Sequence, residues 1–412
     1  MKRLHGWVAL GTSVATAAAV IMFAPSGLAA PSPSDTVLVV CTAPAWAEGT
    51  SYAVGAQRTY NGRLYEARVA HTPPAGAGWT PTGAASLWRD LGACDGGTPP
   101  PPPPGNPPPP PGNPPPPAPP PGAVAAAPYV DMGAWPTPSI TGVATSGNLR
   151  SLTLAFVTAS ACKAMWFNAF DPRAGWMKSE IDAIRARGGD VKISFGGATG
   201  VELAQACPTV QATQAEYQAV VSAYGLRYID LDIEGAATAD PTSVNRRSQA
   251  LAGLQRANAG LRVSLTLPVL PEGLTADGLN VVRSARDAGV NIDLVNVMAM
   301  DYYRAGDYGD FAVQAANSLF NQLRSLYPTR TDAQLWRMVG VTPMLGQNDD
   351  GRIYDQNDAR QLVTFARSRH LGMLSFWEMT RDRNACTGAL YRCTNIAQQP
   401  YEFSRIFAGY TG

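Results

Sequence analysis

From Thr98 to Gly122 the chain is almost nothing but proline, glycine and asparagine. Half of the 36 prolines fall in this one run. Such a run has few backbone donors and favours extended polyproline II, so it cannot pack into a core. At about 3.1 Å per residue it would reach roughly 75 Å. It therefore reads as a semi-rigid spacer at 98–122, and a single fold spanning all 412 residues is excluded. A proline-rich ligand for a partner domain is the other use of such a sequence.

Around this spacer the chain divides unequally. Lys2 and Arg3 precede an apolar run from Gly6 to Phe23, and small residues lead to Ala29-Ala30. Basic start, apolar core and small-residue end predict a secretory signal over 1–30, with an uncleaved anchor as the alternative. That leaves a small unit at 31–97 and a large one at 123–412. The expected location is outside the cell. Six cysteines in a secreted chain read as disulfides. Six allow 15 pairings; position favours Cys41–Cys94, Cys162–Cys207 and Cys386–Cys393.

Composition narrows the chemistry. Charged residues are 15% and the net charge is +1, which excludes a broad basic surface for nucleic acid or anionic membrane. Only three histidines occur, His5, His71 and His370, in separate stretches. A histidine-rich zinc site is excluded, and His370 follows Arg367 and Arg369 where a helix end is expected. Catalysis is expected to run on carboxylates, with no metal and no cofactor.

The small unit is rich in Trp, Tyr and Gly. Asn61-Gly62 between Arg58-Thr59-Tyr60 and Arg63-Leu64-Tyr65 predicts a hairpin in an all-β fold. Trp46, Gly49, Ser51-Tyr52, Gly55, Tyr60-Asn61-Gly62, Tyr65-Glu66-Ala67, His71-Thr72, Trp79-Thr80-Pro81 and Leu87-Trp88 resemble the chitin-binding modules of carbohydrate-binding families 5 and 12. Many members carry two adjacent sugar-holding aromatics where this chain has Val69-Ala70. The candidates for the binding face are Trp46, Tyr52, Trp79 and Trp88, each equally compatible with a core role.

In the large unit, eight strand-like runs start near Tyr129, Leu152, Asp190, Tyr228, Arg262, Leu294, Arg337 and Gly372. Helical patterns at Met177–Arg187, Gln214–Tyr224, Asn245–Ala257, Leu279–Ala288, Ala312–Leu326 and Asp358–Arg369 separate most of them, and the first link shows no clear helix. This alternation predicts a (β/α)8 TIM barrel. Phe195-Gly196-Gly197-Ala198-Thr199-Gly200 lacks the glycine spacing of a dinucleotide fold. Barrel enzymes carry their chemistry at strand C-terminal ends. The fourth run reads Tyr228-Ile229-Asp230-Leu231-Asp232-Ile233-Glu234. Alternation puts Asp230, Asp232 and Glu234 on one face and Leu231 and Ile233 on the other. Three inward carboxylates coexist only by sharing protons or raising a pKa, which keeps an acid protonated for catalysis. An ion-paired acidic edge and a divalent-metal site are the competing readings.

Ser194-Phe195-Gly196-Gly197, Asp230-Leu231-Asp232-Ile233-Glu234, Met298-Ala299-Met300-Asp301-Tyr302 and Trp377 resemble the family 18 glycoside hydrolases, the chitinases, and in particular their bacterial chitinase D-like subgroup. The family motif usually opens with an Asp where this chain has Arg227, and often has a Tyr at the Met300 position. The resemblance implies Glu234 as general acid, Asp232 orienting the substrate 2-acetamido group, and Asp230 holding Asp232 and taking up a shared proton. It implies sugar contacts from Phe195, Gly196, Met300, Asp301 and Tyr302, with Trp377 as the floor. Trp166, Phe167 and Trp176 are compatible with a subsite or with core. The expected partner is chitin or an N-acetylglucosamine oligosaccharide, bound by a monomer. An endo-N-acetylglucosaminidase acting on N-glycans and a non-catalytic chitin-binding protein remain the alternatives.

Overall fold

The computed structural model describes residues 38–69, 71–73, 80–82, 84, 87–95, 124–384 and 386–412. The expected signal, the 98–122 spacer, Ala70 and Trp79 lie outside them.

The small unit is a four-stranded sheet of β1 (Leu38–Val39), β2 (Gln57–Tyr60), β3 (Arg63–Ala67) and β4 (Trp88–Cys94), ordered β1-β4-β3-β2. Asn61 and Gly62 both take positive φ (48° and 71°), as a two-residue hairpin turn requires. Cys41 is bonded to Cys94, stapling a unit too small for a large core. Its interior is Tyr52, Tyr65, Ala67 and Trp88.

The large unit is the barrel. Its strands are β5 (Tyr129–Asp131), β6 (Leu152–Ala159), β7 (Val191–Gly196), β8 (Tyr228–Asp232), β9 (Arg262–Leu270), β10 (Ile292–Ala299), β11 (Val339–Pro343) and β12 (Met373–Leu374). Each pairs in parallel with the next. The ring closes where Ala127 N–H donates to Leu374 O (3.0 Å), Tyr129 N–H to Phe376 O (3.1 Å) and Leu374 N–H to Ala125 O (2.7 Å). Period-two alternation sends Ile193, Phe195, Leu231, Leu265, Val295, Val297 and Val341 outward, where all are buried under the helix layer.

That layer comprises α1 (Ile140–Ser146), α2 (Lys178–Ala186), α3 (Val210–Tyr224), α4 (Pro241–Ala257), α5 (Ala276–Asp287), α6 (Tyr308–Leu326), α7 (Gln356–Arg369) and α8 (Glu402–Phe407). Side-chain caps define the N-termini: Thr209, Asp240, Thr275, Asp307 and Asp355 each accept from backbone N–H groups of the first turn. The first link does contain a helix. Two threonines and Gly142 weaken its sequence signal. Glu180 from α2 anchors its start, accepting from Thr141 N–H (2.9 Å) and the Ser139 hydroxyl (2.9 Å). His370 ends α7 in the left-handed conformation (φ 57°), exposed at the helix end expected for it.

All three expected disulfides are present, and no free cysteine occurs among the described residues. Cys162–Cys207 ties the loop after β6 to the segment before α3. Trp166, Phe167 and Trp176 are core rather than subsite. Trp166 is buried and its indole N–H donates to the Tyr224 hydroxyl (2.8 Å), while Trp176 stacks on Phe170 (4.8 Å).

Candidate active site

The strand register builds the site in two tiers. Ser194 of β7, Asp230 of β8 and Ser264 of β9 lie side by side, and one step up Gly196, Asp232 and Thr266 do the same. In the lower tier Asp230 is enclosed by four hydroxyls. Tyr129 (2.9 Å) and Ser194 (2.7 Å) donate to Oδ2, and Ser264 and Thr266 (2.9 Å) donate to Oδ1. Four donors on two oxygens are the full complement of a carboxylate anion. Asn296 supports this cage, donating to Thr266 Oγ1 (3.0 Å) and accepting from the Thr342 hydroxyl (2.9 Å).

In the upper tier Asp232 is buried, and its Oδ1 has no hydrogen-bond partner among the described residues. Burial first, and then the charges of Glu234 and Asp230, push the Asp232 carboxyl well above the usual range. Glu234 is also raised, chiefly by burial, while a side-chain hydrogen bond from Asp232 opposes the rise. The interaction between the two carboxyls thus raises Asp232 and lowers Glu234, so that a proton is favoured on Asp232 and the pair titrates as one unit. Hydroxyl donors occupy both oxygens of Asp230, and its charge adds to the rise at Asp232.

The pair opens onto a cavity of about 340 Å³ lined by Tyr129, Phe156, Met300, Asp301, Trp377 and Tyr391 among others. Trp377 stacks on Phe156 (centroids 5.6 Å, 19° between planes) and leaves a flat apolar wall facing Glu234. Asp301, with positive φ (49°), is held by Asp349 N–H on its Oδ1 (2.7 Å), and burial pushes its pKa up to about 6. A second cavity, about 430 Å³, meets the first at Ala198, Asp232 and Glu234 and extends along Gly197, Gly200, Glu202 and Gln205. Glu202 is fixed there by Arg247 (3.0 Å) and by the Tyr217 hydroxyl. Glu234 thus stands between an aromatic-walled cavity and a more polar one.

Several expected sugar contacts move elsewhere. Phe195 points away from the cavity by strand parity, with Ser194 inward, and packs on Tyr217 (5.0 Å). Gly196 is needed for close approach: at φ 102° a Cβ would sit 2.1 Å from the Asp232 carbonyl oxygen. Tyr302 is buried against Tyr308 (5.1 Å) and Phe311 (5.5 Å). In the small unit, Tyr52 and Trp88 are each 2% exposed and meet edge-on (5.0 Å), so they form its core and are removed as sugar platforms. The Tyr52 hydroxyl is consumed by Ala47, donating to its carbonyl (2.6 Å) and accepting from its N–H (2.8 Å). Trp46 is partly buried against Tyr60 (5.5 Å). Arg227 turns outward and donates to Asp190 (2.9 Å), away from the carboxylate line.

Tyr129, Phe156, Thr266, Arg381 and Tyr391 complete the site and were not singled out from sequence. Inward parity on β5 and β9 would have found Tyr129, Ser264 and Thr266; Arg381 sits in a short helix, Met379–Arg383, and Tyr391 on a loop, where no strand period applies.

Residues 45–89 match the model of carbohydrate-binding module family 5/12. The chain is 36% identical over 306 residues to a probable bifunctional chitinase/lysozyme of Escherichia coli (strain K12), covering 69% of this chain and 34% of that protein. It is 35% identical over 283 residues to endochitinase 11 of Metarhizium anisopliae, covering 65% of this chain and 54% of that one. The chain therefore spans about a third and about half of these two relatives. The catalytic domain of a hyperthermophilic chitinase from Pyrococcus furiosus superimposes with a TM-score of 0.65 at 31% identity, over 69% of this chain and 94% of that domain.

Proposed function

Because this chain belongs to the family 18 glycoside hydrolases, the chitinases, and carries a family 5/12 carbohydrate-binding module, we propose that it is a secreted chitinase. It hydrolyses β-1,4 linkages between N-acetylglucosamine units with retained configuration. The observation that carries this reading is the line of Asp232 and Glu234 above the hydroxyl-caged Asp230, with a partnerless buried Asp232 oxygen in the cavity that Trp377 walls.

The sugar to be cleaved lies against Trp377, and its neighbour on the leaving side lies past Glu234 in the second cavity. The proton held between the two carboxyls passes from Asp232 to Glu234, leaving Asp232 ionised, and Glu234 gives it to the glycosidic oxygen as the bond from that oxygen to the anomeric carbon breaks. The substrate's own acetamido oxygen attacks the anomeric carbon, forming an oxazolinium ion. Asp232 Oδ1 accepts the acetamido N–H and balances the positive charge. Asp232 at the end of β8 and Glu234 two residues beyond it are too close along the chain to flank the sugar as acid and nucleophile, which supports the substrate as its own nucleophile. Glu234, now ionised, takes a proton from water as the water oxygen attacks the anomeric carbon and the ring reopens, with retention.

Export is supported by the sequence of 1–30 and by three disulfides, which suit an oxidising compartment. Glu234→Gln tests the reading: turnover of chitin oligomers falls by about 10²–10⁴ while fold and polymer binding stay. Near-normal turnover rejects Glu234 as the acid. A first-formed α-anomer rejects the acetamido route. Sugar release from a glycoprotein but not from chitin shifts the substrate to N-glycans.

A further inference from the structure

The site has one wall that the catalytic groups do not explain. After β12 the chain forms a loop closed by Cys386–Cys393, only seven residues apart. Leu390 and Tyr391 at its tip line the same cavity as Trp377 and Glu234. Tyr391 is nevertheless 72% exposed. An aromatic ring left that open contributes little to folding.

The loop beneath it is held firmly. Its anchor is the Arg381 guanidinium, which is fully buried and donates to the carbonyls of Leu390 (2.6 Å), Gln347 (2.6 Å) and Leu345. Burial lowers the Arg381 pKa to about 10, a cost opposed by the charges of Glu378, Asp349 and Asp301. The Asn395 side chain adds three contacts, accepting from Gly388 N–H (2.6 Å) and donating to Gly388 O (3.0 Å) and Gln347 Oε1 (2.8 Å). A disulfide, a buried cation and an amide bridge therefore all fix the position of one exposed ring.

We infer that Tyr391 is a specificity-determining sugar platform. It stacks on the unit next to the one over Trp377, on the non-leaving side, and the Cys386–Cys393 loop presents it. This rests on the proposed function: the leaving sugar passes Glu234 into the second cavity, so Tyr391, in the first, meets the retained portion of the substrate.

The test keeps the leaving group constant and varies the retained portion, using 4-methylumbelliferyl glycosides of N-acetylglucosamine and N,N′-diacetylchitobiose on the full chain. Tyr391→Ala raises KM for the longer glycoside roughly fivefold to tenfold, the size of a ring-stacking contact, with kcat changed less than about twofold. Tyr391→Phe behaves as the parent, because stacking needs the ring and not the hydroxyl. Cys386→Ser/Cys393→Ser shows the same KM rise with Tyr391 present. The melting temperature of Tyr391→Ala stays at the parent value, as an exposed ring requires. An unchanged KM for both glycosides, or a Phe variant as impaired as Ala, overturns the platform. If the parent releases no fluorophore from either glycoside, the proposed hydrolysis falls instead. Calorimetric binding of triacetylchitotriose to parent and Tyr391→Ala then decides the platform on its own.

Discussion

Replacing Asp230 by Asn isolates what a fully hydrogen-bonded carboxylate does beneath a proton-sharing pair. Asp230 and Asp232 are alternate residues of β8, so their side chains leave the strand about 6.6 Å apart. Two unit charges at that distance, in an effective dielectric near 20, interact by about 2.5 kcal/mol. That equals just under two pH units. The Asp230 charge raises the Asp232 pKa, so removing it lets the Asp232–Glu234 pair release its proton at lower pH. The basic limb of the kcat/KM profile, read with a fluorogenic chitobioside, therefore moves down by roughly one to two units. Stability falls as well. The amide nitrogen would meet two hydroxyls arranged to donate, and each mismatch costs about 1–3 kcal/mol. Thermal melts of the variant check this second effect. A basic limb that stays in place, or moves to higher pH, refutes the electrostatic coupling between the tiers.

Two further outcomes follow from buried charges elsewhere. Arg247→Met leaves Glu202 without its ion-pair partner in a site where both are about 2–3% exposed, and unfolding by urea should register a loss of about 3–5 kcal/mol; a loss below about 1 kcal/mol would show the pair to be dispensable. Glu378, 2% exposed, is pushed up to about 7 by burial, opposed by backbone N–H donors and reinforced by Asp131. The folded chain holds that proton after the unfolded chain has released it, so stability declines as pH rises from about 4.5 through 7, by roughly 3 kcal/mol. Glu378→Gln should flatten that decline in melts taken across the window, and an unchanged slope would place its origin in another group.

The residues most legible in the sequence were those whose position follows from a short period. Alternation within 228–234 was enough to put Asp230, Asp232 and Glu234 on one face, and β-branched runs between helical patterns located all eight strands. Chain proximity was enough to pair the cysteines. What escaped depends on contacts distant in sequence. The hydroxyl cage draws Tyr129, Ser194, Ser264 and Thr266 from three strands, and no local pattern marks four ordinary hydroxyls as one site. Phe195 and Tyr302 failed for the opposite reason. They sit beside motif residues along the chain, yet backbone direction turns them into the core. In the small unit, Tyr52 and Trp88 were needed to build an interior from very few residues, which left them unavailable to a ligand.

The way the barrel closes also fixes where its chain enters. Ala125 accepts from Leu374 at the lower end of β5, so the polypeptide arrives on the face opposite the two cavities. The barrel wall between that face and the cavities is about 25 Å tall, the length of the 17-residue α4. At about 3.1 Å per residue, spanning that height would take some eight or nine residues of extended chain. The proline-rich run predicted to serve as a tether would keep roughly 50 Å of reach in hand. In the proposed arrangement, a polymer-bound module moors the barrel, and the length of the proline-rich run sets the radius of polymer that the catalytic mouth can graze from one attachment.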